Sequence, residues 1–196
     1  NRRFVGRVEE IRQVRECLAL GDVGVVATLH GLGGVGKTEL ALAYAHAFVW
    51  DYPGGRYLVR CEGQSDLRTV LVASLVEPLG IELTDEQKKD PARAYDRVRR
   101  ELEQRERVLL VLDNVDRDEL LSSAQAQWLP DRRRVQVLAT TRLPLAAGPD
   151  MRVFTLDVLP EADAVKLLGS YRELQPGEEE AAREIVWRLA GHTLAV

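Results

Sequence analysis

Four glycines fall within six residues in Gly31-Leu32-Gly33-Gly34-Val35-Gly36, and Lys37-Thr38 follows directly. The apolar run Val25-Val26-Ala27-Thr28-Leu29 stands before this loop and reads as a buried strand. Helix-forming residues from Glu39 to Trp50, apolar at Leu40, Ala43, Ala47 and Phe48, stand after it. A strand that passes through such a loop straight into a helix belongs to a sheet covered by helices. The spacing from Gly31 to Gly36-Lys37-Thr38 is G-x-x-x-x-G-K-[ST], the loop that cradles nucleotide phosphates. The glycines let successive backbone N–H groups turn inward toward an anion, and the helix start adds its positive dipole end. Gly31, Gly33, Gly34, Val35, Gly36, Lys37, Thr38 and Glu39 are therefore the candidate phosphate cradle. Lys37 would span the β- and γ-phosphates, and the Thr38 hydroxyl would join a Mg²⁺ shell. The alternative is a tight strand-to-helix turn that carries Lys-Thr by chance.

A P-loop binds phosphate but needs an acid on a neighbouring strand. Val108-Leu109-Leu110-Val111-Leu112 is five apolar residues in a row, the pattern of a central parallel strand buried on both faces, and it ends at Asp113. Asp113 would hold the metal, through water. Asn114 comes next, where related ATPases commonly carry a second acid that polarises the attacking water. An amide can orient a water but cannot take its proton, so slow hydrolysis is expected. A further strand, Val135 to Thr140, leads to Thr141-Arg142. Arginine at the carboxyl end of a strand in an open parallel sheet lies where ligands bind, and Arg142 would pair with the γ-phosphate. The alternative for Arg142 is a surface arginine in a loop.

The remaining chain supplies the frame. Ile11, Val14 and Leu18 recur at helical spacing before Gly21; Tyr57 to Cys61 reads as a second strand after the turn cluster Asp51 to Gly55; 65–79 and Ala92 to Arg107 read as helices separated by a polar connection at 84–90. A short helix over 117–127 and a fifth strand, Arg152 to Leu156, complete the alternation. Arg132-Arg133-Arg134 reads as a solvated turn. After Pro160 the strands stop and two amphipathic helices follow, Glu161 to Tyr171 and Glu178 to Leu189, so a boundary is expected near 158. Composition agrees with a soluble α/β protein: 45% hydrophobic and 30% charged residues, net charge −4, with no apolar run of membrane-spanning length and no signal peptide. Cys17 and Cys61 are far apart and read as buried free thiols, which suits a reducing cytoplasm. The start at Asn1 and the end within an apolar segment suggest an excised fragment.

Taken in order, Phe4-Val5-Gly6-Arg7, the P-loop, Val108 to Asp116, Ala139-Thr140-Thr141-Arg142, Leu156-Asp157-Val158-Leu159-Pro160-Glu161-Ala162 and Gly191-His192-Thr193-Leu194-Ala195 resemble the motifs of the NB-ARC module of STAND signalling NTPases. The resemblance covers nearly the whole chain. It implies a P-loop three-layer α/β sandwich over 1–157, with a five-stranded parallel sheet of order 5-1-4-3-2, followed by the start of a small helical subdomain over 158–196. It implies an ATP/ADP-binding switch with Mg²⁺ and weak ATPase activity, self-association in the full-length protein, and sensor and effector domains outside this segment. By position, Val5, Gly6 and Arg7 would meet the adenine, as would Thr193 and Leu194. The family's last motif usually reads Gly-x-Pro-Leu-Ala, so Thr193 stands where a proline packs on the base. His192 is not the family's phosphate-contacting histidine, which lies further along, and His30 and His46 read as structural.

Two other readings compete. An AAA+-type mechanochemical or nucleic-acid-handling ATPase shares the sheet, but would favour an acid at position 114 and a basic or aromatic surface. A scaffold that has lost nucleotide binding would not need intact Gly36-Lys37-Thr38 and Asp113. Direct contact with nucleic acid or membrane is not expected.

Overall fold

The computed structural model describes residues 4–21, 23–27, 34–144 and 151–191, without the side chains of 25–27. Five strands, β1 (Val23–Ala27), β2 (Gly55–Arg60), β3 (Val108–Val115), β4 (Val135–Thr141) and β5 (Met151–Thr155), make one parallel sheet in the order β2-β3-β4-β1-β5. This is the order 5-1-4-3-2 that the resemblance implies. β1 connects onward toward one edge and β4 toward the other, so a crevice opens at their carboxyl ends, where open α/β sheets bind ligands.

β3 lies inside the sheet, and Val108 through Leu112 are each at most 2% exposed. Its side chains alternate between two cores. Val108, Leu110 and Leu112 join the helices α3 (Leu67–Leu75) and α5 (Pro91–Gln104); Leu109 and Val111 join α1 (Val8–Ala19) and α2 (Lys37–Ala47). Asp66 caps α3, and Asp90 caps α5 ahead of Pro91, so both helices start where the sequence signals them. The second core also buries polar groups, all paired: Tyr44 and Tyr52 share a hydroxyl hydrogen bond of 2.7 Å, Tyr52 donates to Gln136 Oε1, and the Gln136 amide donates to the Leu18 carbonyl. Cys17 and Cys61 are buried and not joined in a disulfide, as read from the sequence. Burial first, then Asp113 and Asp116, push the Cys61 thiol up to about 12, so it stays protonated and inert at neutral pH.

Three local readings need correction. The 84–90 connection contains α4 (Asp85–Lys89), whose capping box between Thr84 and Gln87 is a signal overlooked in its polar sequence. The 117–127 region divides into a 3₁₀ turn, Asp118–Leu121, and α6 (Ser123–Ala126). The central strand does not stop at Asp113 but runs to Val115 through a break in register, described below. After Thr155 the described residues are helical or irregular: α7 (Glu161–Tyr171) packs on α8 (Glu179–Arg188), with Leu159, Ala164, Leu167 and Val186 buried between them. Among the described residues no helix is long and apolar enough to cross a membrane.

Candidate functional site: a polar crevice at the carboxyl edge of the sheet

Gly34 and Gly36 have φ of +79° and +96°, and Gly36 delivers the chain into α2. A side chain at Gly36 would be strained by this left-handed geometry, which is why the motif needs glycine there. No side chain caps α2, so its first-turn amides face the crevice with the helix dipole behind them. Lys37 is 9% exposed. Burial, then the nearby Arg142 cation, hold its ammonium pKa below the ordinary value, and Asp113 opposes them. Two cations thus converge beside a helix N-terminus, an arrangement that favours an anion between them.

The acidic side of the crevice is tightly tied. Thr38 Oγ1 donates to Asp113 Oδ1 at 2.7 Å, and Thr140 Oγ1 donates to the same oxygen at 2.7 Å. Thr38 and Asp113 come from different elements, α2 and β3, yet their oxygens touch. Hydroxyl and carboxylate are the hard oxygen donors that Mg²⁺ takes. Among the described residues no three His, Cys, Asp or Glu side chains gather to hold a metal alone. A cation here would draw the rest of its shell from phosphate oxygens and water, which is how Mg²⁺ is held with nucleotides.

These groups open into a cavity of about 400 Å³. The start of α2 and the carboxyl edge of the sheet supply Gly34, Val35, Gly36, Lys37, Thr38, Glu39, Asn114, Thr140 and Arg142 to its lining; the segment before α1 and the region after the sheet supply Phe4, Val5, Arg7, Leu159, Leu167 and Tyr171. The volume falls in the range of small-ligand and cofactor sites. The chain start is fixed against the helical region. Gly6, at φ +70°, packs so closely on α7 that a Cβ would come within 2.6 Å of Asp163 Oδ2. Arg7 is left-handed at φ +62°, and its guanidinium donates to Glu10 at 2.9 Å and to the Asp157 carbonyl. Arg7 therefore lines the cavity while its charged head is committed to protein partners.

Of the candidate residues, the structure gathers Val5, Arg7, Gly34 through Glu39, Asn114 and Arg142 around one cavity, with Asp113 hydrogen-bonded to the lining residues Thr38 and Thr140. Gly31, Gly33, Thr193 and Leu194 lie outside the described residues, as do His30 and His192. The sequence reading missed Phe4, Thr140, Leu159, Leu167 and Tyr171. Thr140 could have been suspected as a hydroxyl at the end of a buried strand. Nothing in the spacing of Leu159, Leu167 and Tyr171 distinguishes the cavity wall from an ordinary helical apolar face.

Comparison with known proteins agrees with this architecture. The NB-ARC domain family matches residues 7–172. The regulatory protein AfsR of Streptomyces coelicolor is 30% identical over 93% of this chain, which covers 19% of that protein. A nucleotide-binding leucine-rich-repeat (NLR)-like protein of Hyaloscypha variabilis is 29% identical over the whole chain, covering 22% of that relative. The chain thus spans about a fifth of the length of the curated relatives it matches. In fold it is similar to a STAND protein with a tetratricopeptide-repeat sensor from Pyrococcus horikoshii (TM-score 0.58, 21% identity, 97% of this chain and 28% of that one). It is also similar to Cdc6p from Pyrobaculum aerophilum (TM-score 0.65, 14% identity, 91% and 53%). The cradle at α2, the sheet order and the match across most of its length place this chain in the NB-ARC family of P-loop nucleotide-binding modules.

Proposed function

We propose that this module is an ATP/ADP-dependent switch of a larger STAND-type signalling protein, with slow Mg²⁺-dependent ATP hydrolysis as its reset. The observation that carries the reading is the shared lining of one cavity: groups at the start of α2 and the carboxyl edge of the sheet supply part of it, and Leu159, Leu167 and Tyr171 from the region after the sheet supply another part. A nucleotide held at both ends would bridge a P-loop unit over 1–157 and a helical unit beginning at 158. Exchange of ADP for ATP would then change the free energy of their relative placement, which is what a ligand-driven switch requires.

In this reading Lys37 and Arg142 bind the β- and γ-phosphates, and the α2 amides complete the cradle. Val5, Gly6 and Arg7 shape the base side, where Arg7 acts through its ties to Glu10 and Asp157. Thr38 and Asp113 are the residues that would hold Mg²⁺, which neutralises charge on the phosphates when bound. Asn114 orients water without accepting its proton, so turnover is low. Coupling to self-association and to sensor and effector domains belongs to the whole protein. The test is the nucleotide content of freshly purified chain, released by denaturation and separated chromatographically. Stoichiometric ADP or ATP is expected. A chain that carries neither and also fails to bind Mg·ATP would overturn the reading.

A further inference from the structure

β3 and β4 pair in register from Val108↔Val135 to Leu112↔Ala139, and pairing resumes at Val115↔Thr141. Two residues on β3, Asp113 and Asn114, thus stand opposite one on β4, Thr140. This is a β-bulge, and it leaves backbone without a ladder partner. Asn114 takes up the extra residue in the left-handed region at φ +57°, a conformation that asparagine tolerates better than most side chains. Its N–H is satisfied by a side chain: it donates to Thr140 Oγ1 at 2.9 Å. The same Thr140 hydroxyl gives its one proton to Asp113 Oδ1 at 2.7 Å. Thr140 itself is 1% exposed, and both hydrogen bonds are partly buried.

From this we infer that Thr140 is a positioning residue that couples the metal-holding carboxylate to the water-orienting amide, which rests on the nucleotide reading above. Donation to Oδ1 fixes the Asp113 carboxylate against Thr38. Acceptance from the Asn114 N–H locks the bulge, and the bulge aims Asn114 into the cavity. One hydroxyl therefore sets two consecutive residues that would act on the same phosphate. Valine has threonine's branched shape and fits the strand, but it offers neither the donor nor the acceptor. Serine retains both.

The test compares binding of fluorescently labelled ADP and ATP to wild type, Thr140→Val and Thr140→Ser, each in EDTA and in Mg²⁺. Affinity in EDTA reports the cradle, and the gain on adding Mg²⁺ reports the Asp113 side. Measured against its own affinity in EDTA, Thr140→Val is expected to lose roughly ten-fold or more of the Mg²⁺-dependent gain, since a hydrogen bond to a charged group is lost. Thr140→Ser should retain the gain. A valine variant with the full Mg²⁺ gain would overturn the inference, as would a serine variant that loses it. Where the valine variant does not fold, Thr140→Ala carries the same comparison. Wild type that binds no nucleotide would overturn the nucleotide reading itself, whereas wild type with a Mg²⁺ gain unaffected at position 140 would overturn only the role of Thr140.

Discussion

The two ends of the cavity are built differently. The phosphate end stands on the sheet, where Leu109, Leu110 and Leu138 are fully buried and hydrogen bonds of 2.7 to 2.9 Å tie Thr38, Asp113, Asn114 and Thr140 across neighbouring elements. The other part of the lining comes from Phe4 and Val5 and from the region around α7, where among the described residues Leu159, Ala164, Leu167 and Val186 form a buried cluster. A small core has less free energy to spend on fixing its position. The first end is suited to supplying affinity through a rigid, preorganised set of charges. In the switch reading proposed above, the second is the part that would respond to the nucleotide.

Replacing Lys37 with alanine gives the largest expected effect. It removes a buried cation at the phosphate end, so affinities for ADP and pyrophosphate should both fall about 100-fold or more by calorimetry. Retained pyrophosphate binding would remove Lys37 from the cradle. Leu167→Ala probes the other end. It should cost about 2 kcal/mol of stability in chemical denaturation, at the low end for a core leucine because Leu167 is 9% exposed. Binding of ADP should weaken while binding of pyrophosphate does not. An equal loss of both would mean the ends are not separable.

Asn114→Asp sharpens the phosphate end alone. Aspartate also accepts the left-handed backbone, and it adds the missing base. Single-turnover hydrolysis should rise about ten-fold if proton acceptance is the limit. An unchanged single-turnover rate would place the limit elsewhere in the chemical step, such as an arginine supplied by a neighbour.

The smallest expected effect comes from Lys37 titration. Burial, then the Arg142 cation, hold this lysine's pKa in the folded protein below its ordinary value. The unfolded chain therefore binds more protons in the interval just below that value. Stability gains a positive slope with pH there, and the penalty for the charged lysine is present in full at lower pH. Lys37→Met should remove that slope in pH-dependent denaturation, and added pyrophosphate should flatten it by pairing with the ammonium.

Local sequence made the phosphate end legible. The glycine spacing, the unbroken apolar run into Asp113 and the arginine after a strand are short-range patterns tied to backbone geometry, and Lys37, Thr38, Asn114 and Arg142 meet at one cavity. The extent of β3 was harder to read. Asp113 and Asn114 look like the end of a strand because polar residues follow five apolar ones, yet the strand continues to Val115 because the bulge carries it past them. Helix α4 was missed for a different reason: its five residues bury nothing, so it has no apolar period, and only the Thr84–Gln87 capping box marks it. Leu167 and Tyr171 sit on a helix that reads as ordinarily amphipathic, and nothing local says which face meets a ligand.

The amino-acid sequence alone determined the alternation of strands and helices and the glycine-rich turn into Lys37-Thr38, because each depends on residues adjacent in the chain or repeating at fixed periods. The parallel order of the sheet could be anticipated by resemblance, and pairing of strands distant in sequence realised it. Only the tertiary structure decided that Thr140 serves both Asp113 and Asn114, that Arg7 spends its charge on Glu10 and Asp157, and that α7 closes the far wall. The physical reason is common to all three. A hydrogen bond or a cavity wall is set by distances of a few ångströms between elements, and no one-dimensional pattern encodes those distances.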